Sequence, residues 1–364
     1  LDELRAQQKS EGLTTRYDGH CRGLSADAVA KKLSAGEKNV VRLKVPTAGT
    51  VKFIDLLRGE LEFDVDRVDD QVLMKTDGFP TYHLANVVDD YLMKISHVIR
   101  AEEWISSTPK HVLLYRAFGW EVPQFCHLPL LRNADKSKIS KRKNPVSLAY
   151  YKRAGILPKT LVNYLGMMGW SFGDDKEIFS LEEMIEVFDL KKISLGGPVF
   201  DMAKLTWLNQ HYIQKLSPED FIDYIRDEIF SKDYLLNLRP LLQDRMSRFE
   251  QFVDNFSFFF NGPLHYQGIE ILPKGKDGPS MAAMLSELVE LLDELYDWNH
   301  TAIHDLLNVH REKIGWKPKD YFMSVRLITT GRKDSPPLAE SLEQIGREMV
   351  RFRIRNYLDS GLLK

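Results

Sequence analysis

Cysteine is scarce in this 364-residue chain, which holds only Cys21 and Cys126. Two thiols cannot make a disulfide framework, so a reducing compartment such as the cytosol fits. No apolar run is long enough to span a membrane, and no leader pattern opens the chain. An excess of either charge is also missing: 50 Lys and Arg stand against 52 Asp and Glu, a net of -2. That balance excludes a binder driven by bulk charge and leaves local patches as the way to hold a polyanion. Nothing arranges Ser, His and Asp, or Cys and His, for covalent catalysis. The first residue is Leu1 and not Met, so the chain is expected to start inside a longer product or to have been trimmed.

Hydrophobic residues make up 43% of the sequence, enough for real cores, and the length predicts two to four domains. The densest charge lies in Lys136-Ser137-Lys138-Ile139-Ser140-Lys141-Arg142-Lys143, where five of eight residues are cationic. It follows Pro129-Leu130-Leu131-Arg132-Asn133, which reads as the end of a buried strand and a loop. A loop off the carboxyl end of a strand is where an open α/β sheet binds its ligand. Lys ammonium groups on flexible stems suit a phosphate chain whose charge is shifting, and Ser137 and Ser140 would keep the loop polar and mobile. By charge alone, a solvated basic run or a nuclear-localisation-like patch is the favoured reading.

Around this loop the pattern predicts a helix over 24–32, then strands at 39–45, 51–54, 60–64 and 72–74. A helix follows from Thr81 to Tyr91. Tyr82 and Asn86 lie four apart on one face, where a phenol and an amide could hold an amino acid's polar end or serve the core. Ile95 to Arg100 alternates as a central strand. At its exit Arg100 could clamp a carboxylate in bidentate fashion, or pair with Glu103 to cap the helix from Thr108 to Gly119. Leu157-Pro158 breaks the next helical region, and Leu161, Tyr164, Leu165 and Met168 form an apolar stripe read as core. Ser180 and Glu183 read as a capping box, and Asp201 and Ser217 as caps. Beyond Ser217 the pattern is helical, with helices expected at 237–259, 280–296, 300–313 and 337–358. Arg347 to Arg355 is a dense cationic cluster interleaved with Phe352 and Tyr357, suited to unstacked bases.

Lys138-Ile139-Ser140-Lys141-Arg142 resembles the Lys-Met-Ser-Lys-Ser signature of class I aminoacyl-tRNA synthetases. The form with Arg last is similar to the glutamyl branch. Asp77-Gly-Phe-Pro-Thr-Tyr-His-Leu-Ala-Asn86, His97-Val-Ile-Arg-Ala-Glu-Glu-Trp104, Asn163-Tyr-Leu-Gly166 and Ser194-Leu-Gly-Gly-Pro-Val-Phe-Asp201 extend the likeness in order. Together they resemble bacterial-type glutamyl-tRNA synthetase from roughly residue 10 to the end. The resemblance implies an α/β plus all-α chain. Residues 1–80 would be a connective α/β domain holding the acceptor arm, and 81–145 the second half of a Rossmann-type catalytic domain. Residues 146–216 would be a helical stem-contact domain and 217–364 a helical anticodon-binding region, with a possible joint near 275.

The same resemblance implies the chemistry. Glutamate's α-carboxylate attacks the α-phosphorus of ATP, and a ribose hydroxyl of tRNA(Glu) then takes the acyl group, with Mg2+ assisting. Lys138, Ser140 and Lys141 would be catalytic, with the two lysines also on ATP. Tyr82, Asn86 and Arg100 would bind glutamate, and Glu103, Trp104, Leu130 and Leu131 would bind ATP. Arg248 would read the last anticodon base, with Arg347 and Arg351 as further tRNA contacts. Tyr17 and Cys21 match half of a family zinc site. Two ligands do not complete a four-coordinate site, so zinc is not expected.

The family also carries a His-X-Gly-His-type signature after its first strand, which this sequence lacks. A piece on the order of one hundred residues is therefore expected to be missing, and the chain alone is expected to activate glutamate poorly. Two other readings stay open. One is the sister glutaminyl enzyme, against which the helical C-terminal half counts. The other is a non-catalytic tRNA-binding module. Nothing in the sequence demands more than a monomer, and no membrane association is expected.

Overall fold

The computed structural model describes residues 2–12, 16–139, 146–173, 175–266 and 269–363, with side chains from Arg5 on. The chain divides into two compact units. One comprises residues 1–131, 169–173 and 187–198, the other 132–168, 174–186 and 199–364.

The first unit runs α1 (Asp2–Ser10), α2 (Ala26–Ser34), β1 (Val41–Arg42), β2 (Thr50–Asp55), β3 (Gly59–Asp64), β4 (Val72–Met74), α3 (Tyr82–Leu92), β5 (His97–Ala101), α4 (Thr108–Phe118) and β6 (Gln124–Leu128). β1 pairs with β4, and the other strands form one sheet in the order β3-β2-β6-β5. β2 and β3 make an antiparallel hairpin, while β6 lies parallel to both β2 and β5. The hairpin turn is closed by Gly59 at φ 74°, a left-handed conformation that costs glycine little. Strand β2 alternates strictly, so Val51, Phe53 and Asp55 all point inward. Two of these join the core with Val112, Leu114, Tyr115 and Phe125. The third places a carboxylate inside.

The sheet takes strands from both sides of residue 80, so 50–64 and 97–128 share one core. The strand expected at 95–100 as a central one is β5, and among the described strands it stands at the sheet edge. Its alternating pattern explains this. A central parallel strand is covered on both faces and reads as a continuous apolar run, whereas β5 leaves Ile99 half exposed.

The second unit is helical: α5 (Leu148–Arg153), α6 (Pro158–Gly166), α7 (Leu181–Val187), α8 (Met202–Gln214), α9 (Pro218–Tyr224), α10 (Lys232–Leu242), α11 (Gln251–Phe256), α12 (Gly278–Glu294), α13 (His300–Lys313), α14 (Pro318–Thr330), α15 (Leu338–Ile345) and α16 (Arg347–Asp359). The capping box is present, with Ser180 N–H donating to Glu183 Oε2 at 2.8 Å and Glu183 N–H to Ser180 Oγ at 3.1 Å. Asp201 caps α8 and Ser217 caps α9. Of the stripe on α6, Tyr164 is buried, Leu161 and Met168 pack on the core, and Leu165 is exposed.

Two expected helices are broken. The one at 237–259 carries Pro240 inside α10, which removes a hydrogen bond near the helix end, and the chain leaves helical geometry at Met246 before α11. The one at 337–358 is interrupted by Gly346 at φ 88°, ψ 146°, a conformation reserved for glycine. One apolar core runs across residue 275, since Phe256, Phe258 and Phe259 belong to the same cluster as Met281 and Leu285.

Candidate carboxylate-binding and phosphate-binding sites

In the first unit the polar centre is Arg100, the penultimate residue of β5. Its Nε donates to His127 Nε2 at 3.1 Å, and its Nη2 donates to Thr108 Oγ1 at 2.8 Å. Its Nη1 lies 3.2 Å from His111 Nδ1. His127, fully buried on the adjacent β6, places Nδ1 2.7 Å from Asp55 Oδ2. Asp55 also accepts the backbone N–H groups of His127 at 3.0 Å, Leu57 at 3.0 Å and Arg58 at 3.1 Å. A buried carboxylate with four donors is fully satisfied, which explains how β2 tolerates Asp55 at 1% exposure. On α4, His111 continues the network through Nε2 to His83 Nδ1 at 3.0 Å.

Burial lowers the basicity of every cation in this cluster. His111 is pushed down to about 3, first by burial and then by the charge of Arg100. His127 and His83 are lowered, burial again leading, although the hydrogen bond to Asp55 opposes the shift at His127. Burial lowers Arg100 too, while the phenol of Tyr82 and the carboxylate of Asp90 stand near enough to work against it. The result is one guanidinium charge among neutral imidazoles.

Tyr82, Asn86 and Asp90 share a face of α3, as their spacing predicts. Asn86 hydrogen-bonds Asp90, which in turn feels the charge of Arg100. Tyr82 is half exposed and its ring lies 4.9 Å from Trp104, whose own ring sits 5.8 Å from the Arg100 guanidinium. The structure thus brings Tyr82, Asn86 and Arg100 to one place, and Trp104 with them. Glu103 is exposed on the 3-10 turn before α4. Its neighbour Glu102 pairs with Arg58 at 2.7 Å and accepts the Leu130 N–H at 3.3 Å, fixing the strand exit. Leu131, next in the chain, is partly buried.

Sequence reasoning missed Asp55, His83, Glu102, His111 and His127. A signal existed for two of them: Asp55 and His127 are polar residues at inward positions of apolar strands.

In the second unit the lysine loop begins with a tight turn. Asn133 N–H donates to Ser137 O and Lys136 N–H to Asn133 O, both at 2.8 Å. Asp135 Oδ1 accepts both the Ser137 N–H at 2.9 Å and its hydroxyl at 2.5 Å. Lys136 adopts φ 64°. Ser137 therefore serves a locked turn and does not loosen the loop. Lys138 follows it directly and is exposed, bridged through its backbone to Arg132. Ser140 and Lys141 lie outside the described residues.

The arginines expected to contact tRNA fall into two kinds. Arg351 is buried, paired with Asp293 and, at 2.9 Å, with Glu348. Arg355 reaches the same Asp293 at 3.2 Å. Arg347 donates to the carbonyls of Leu295 and, at 3.0 Å, Tyr296. Arg353 is fully buried and donates to the carbonyls of Gly262 at 3.1 Å, Thr329 at 2.6 Å, Phe258 at 2.8 Å and Asn261. Tyr357 is core. The dense cluster on α16 is therefore engaged with α12 and with loop carbonyls, and the structure places Arg351, expected as a tRNA contact, among these partners rather than on the surface. Arg248 differs: it is exposed, paired only loosely with Glu250 across the surface at 2.6 Å, and followed by Phe249 at 90% exposure.

Tyr17 Oη accepts the Cys21 N–H at 2.7 Å, and the Arg42 guanidinium stacks 4.0 Å from its ring. Among the described residues no three His, Cys, Asp or Glu side chains converge as metal ligands. Nor is any helix of the described residues long and apolar enough to cross a membrane.

Comparison with known proteins draws these observations together. A family model described as "tRNA synthetases class I (E and Q), catalytic domain" matches residues 1–207, and an "Anticodon binding domain" model matches 208–358. The glutamate–tRNA ligase of Stutzerimonas stutzeri (strain A1501) is 44% identical over 359 residues, which are 99% of this chain and 73% of that protein. The glutamate–tRNA ligase of Pseudomonas fluorescens (strain Pf0-1) matches to the same extent. Among solved structures, a glutamate tRNA ligase from Elizabethkingia meningosepticum CCUG26117 in complex with its amino acid is 32% identical with a TM-score of 0.57, covering 100% of this chain and 78% of that one. The glutamate-tRNA synthetase of Elizabethkingia anophelis is 31% identical with a TM-score of 0.58, covering 98% of this chain and 77% of that one. With identity of this order over nearly its whole length and a catalytic-domain match over more than half of it, the chain belongs to the glutamate–tRNA ligase family of class I tRNA synthetases.

Proposed function

We propose that this chain serves ATP-dependent attachment of glutamate to tRNA(Glu), and that Arg100 receives the glutamate side-chain carboxylate with Tyr82 and Asn86 beside it. The observation that carries this is the guanidinium of Arg100. It is charged, largely desolvated and hydrogen-bonded by neutral side chains, with the Asp90 carboxylate acting on it only through space, so a carboxylate offered to it forms a strong charge-assisted pair while an amide does not. Trp104 walls this pocket through Tyr82. Glu103 and the backbone of Leu130 and Leu131 are assigned to ATP. The Leu130 N–H is already taken by Glu102.

Lys138, with Ser140 and Lys141 after it, is assigned to the phosphates, where developing negative charge would be met by ammonium groups. The turn from Asn133 to Ser137 fixes the point from which that loop departs. Mg2+ would arrive with the triphosphate, since the described residues offer no ligand cluster for a resident ion. The helical second half favours this reading over the glutaminyl enzyme.

Titration of the chain with glutamate, glutamine and aspartate, followed by ligand-observed NMR, tests the assignment. Glutamate should bind, glutamine should not, and Arg100→Ala should abolish the signal. Glutamate bound equally by the Arg100→Ala variant would remove Arg100 from the site.

A further inference from the structure

The hydrogen bonds around Arg100 have a direction that follows from donor chemistry alone. A guanidinium only donates. His127 Nε2, 3.1 Å from Arg100 Nε, must therefore be an acceptor. Its proton then lies on Nδ1, where it meets Asp55 Oδ2 at 2.7 Å. His111 Nδ1, 3.2 Å from Arg100 Nη1, must likewise accept. Its proton lies on Nε2 and is donated to His83 Nδ1 at 3.0 Å, which leaves the His83 proton on Nε2. With these tautomers Thr108 Oγ1, which accepts from Arg100 Nη2, gives its single proton either to the Trp104 carbonyl at 3.1 Å or to His127 Nε2 at 3.2 Å.

The guanidinium has five N–H bonds, and His127, Thr108 and His111 take one each. Beyond these three, one N–H is left on each terminal nitrogen, the number a carboxylate takes in a bidentate pair, and the Tyr82 phenol, also within hydrogen-bonding reach of the guanidinium, is the side chain that a carboxylate would displace from them or share them with. We propose that His127 and His111 are positioning residues, which orient Arg100 through this one-way chain anchored at Asp55 so that its two remaining N–H groups meet the glutamate carboxylate together. The proposal rests on the assignment of Arg100 to glutamate. Neither imidazole touches the substrate. Their contribution is to present acceptors, where a protonated or oppositely tautomeric ring would turn an N–H toward the cation and swing it away.

The test uses the full chain with 15N-labelled histidine and arginine, and two variants at one position. His127→Gln keeps an acceptor near Nε2, whereas His127→Leu removes it. Resonances are assigned by their loss in His127→Gln, His111→Asn and Arg100→Lys. The expected spectrum shows His127 protonated on Nδ1 and His111 on Nε2, with a slowly exchanging Arg100 Hε. His127→Leu should weaken glutamate roughly tenfold or more and speed Hε exchange, while His127→Gln restores most of both.

A His127 proton on Nε2 overturns the proposal even if the leucine variant fails to fold. So does a leucine variant that binds glutamate and protects Hε as the parent does. If the tautomers and the Hε protection appear as described but the parent ignores glutamate, the chain of positioning stands and the substrate assignment falls.

Discussion

Replacing His111 by asparagine keeps an acceptor near Nδ1 for Arg100 but removes a titratable group, and this separates one pH effect from all others. In the folded chain His111 is 1% exposed and pushed down to about 3 from an ordinary value of 6.5. Unfolding returns it to that ordinary value. Between these limits the unfolded chain binds a proton that the folded chain refuses, so stability falls as the pH drops below 6.5 and continues to fall toward 3. Each pH unit in that window is worth about 1.4 kcal/mol, and the loss from pH 7.5 to 4.5 comes to about 2.5 kcal/mol. His83 and His127 shift in the same direction, but neither owes its shift to His111, so they contribute equally to both proteins and cancel in the difference.

Urea unfolding at each pH supplies the assay. Cys126 is fully buried on β6 and its thiol is pushed up to about 11 by burial, so its reactivity reports opening of the first unit. The exposed Cys21 is silenced by Cys21→Ser in both proteins. Dithiodipyridine reacts with free thiols in mild acid and suits the range. The parent should be the more stable at pH 7.5, and its advantage should shrink by about 2.5 kcal/mol at pH 4.5. An advantage constant across that range would mean that His111 binds its proton as readily folded as unfolded, and one that grew toward acid pH would mean that it is already protonated when folded; either would refute the direction assigned to the hydrogen-bond chain.

Other outcomes follow from the second unit. Arg353→Met leaves four carbonyls without their donor and should cost about 3–5 kcal/mol by calorimetry, with a loss as large for no other arginine of α16. Gly346→Ala forces a side chain into φ 88°, ψ 146° and should cost about 1–3 kcal/mol in the same assay. Phe249→Ala should leave stability within about 0.5 kcal/mol of the parent, because the ring touches little. If that ring stacks on a base beside Arg248, the variant should weaken tRNA by about 1–3 kcal/mol in filter binding. Arg351→Ala should do the reverse, lowering stability by roughly 1–3 kcal/mol, since Asp293 loses a buried partner.

Local features were legible in the sequence because local rules govern them. The spacing of Ser180 and Glu183, the caps at Asp201 and Ser217, the alternation of β2 and the face shared by Tyr82 and Asn86 depend on a few neighbouring residues. The two expected helices that break were also marked, by Pro240 and Gly346, and the apolar periodicity across them outweighed the breakers. What the sequence hid depends on residues far apart. Asp55 and His127 are 72 positions apart and meet only because β2 and β6 are neighbours. Arg351 and Arg355 look like a basic surface until α12 brings Asp293 against them. Arg353 looks like their companion but points into the core, where backbone carbonyls and not an acid satisfy it. A charge in a sequence does not announce its partner, so a structural arginine and a nucleic-acid contact read alike until the fold is known.

The central claim is that this chain recognises tRNA(Glu). Crosslinking it to total cellular tRNA and sequencing what it holds tests that claim most directly. Enrichment of tRNA(Glu) is expected, with footprints at the acceptor end and at the anticodon and weaker anticodon protection in Phe249→Ala. Recovery of all tRNAs in proportion to their abundance would contradict that recognition.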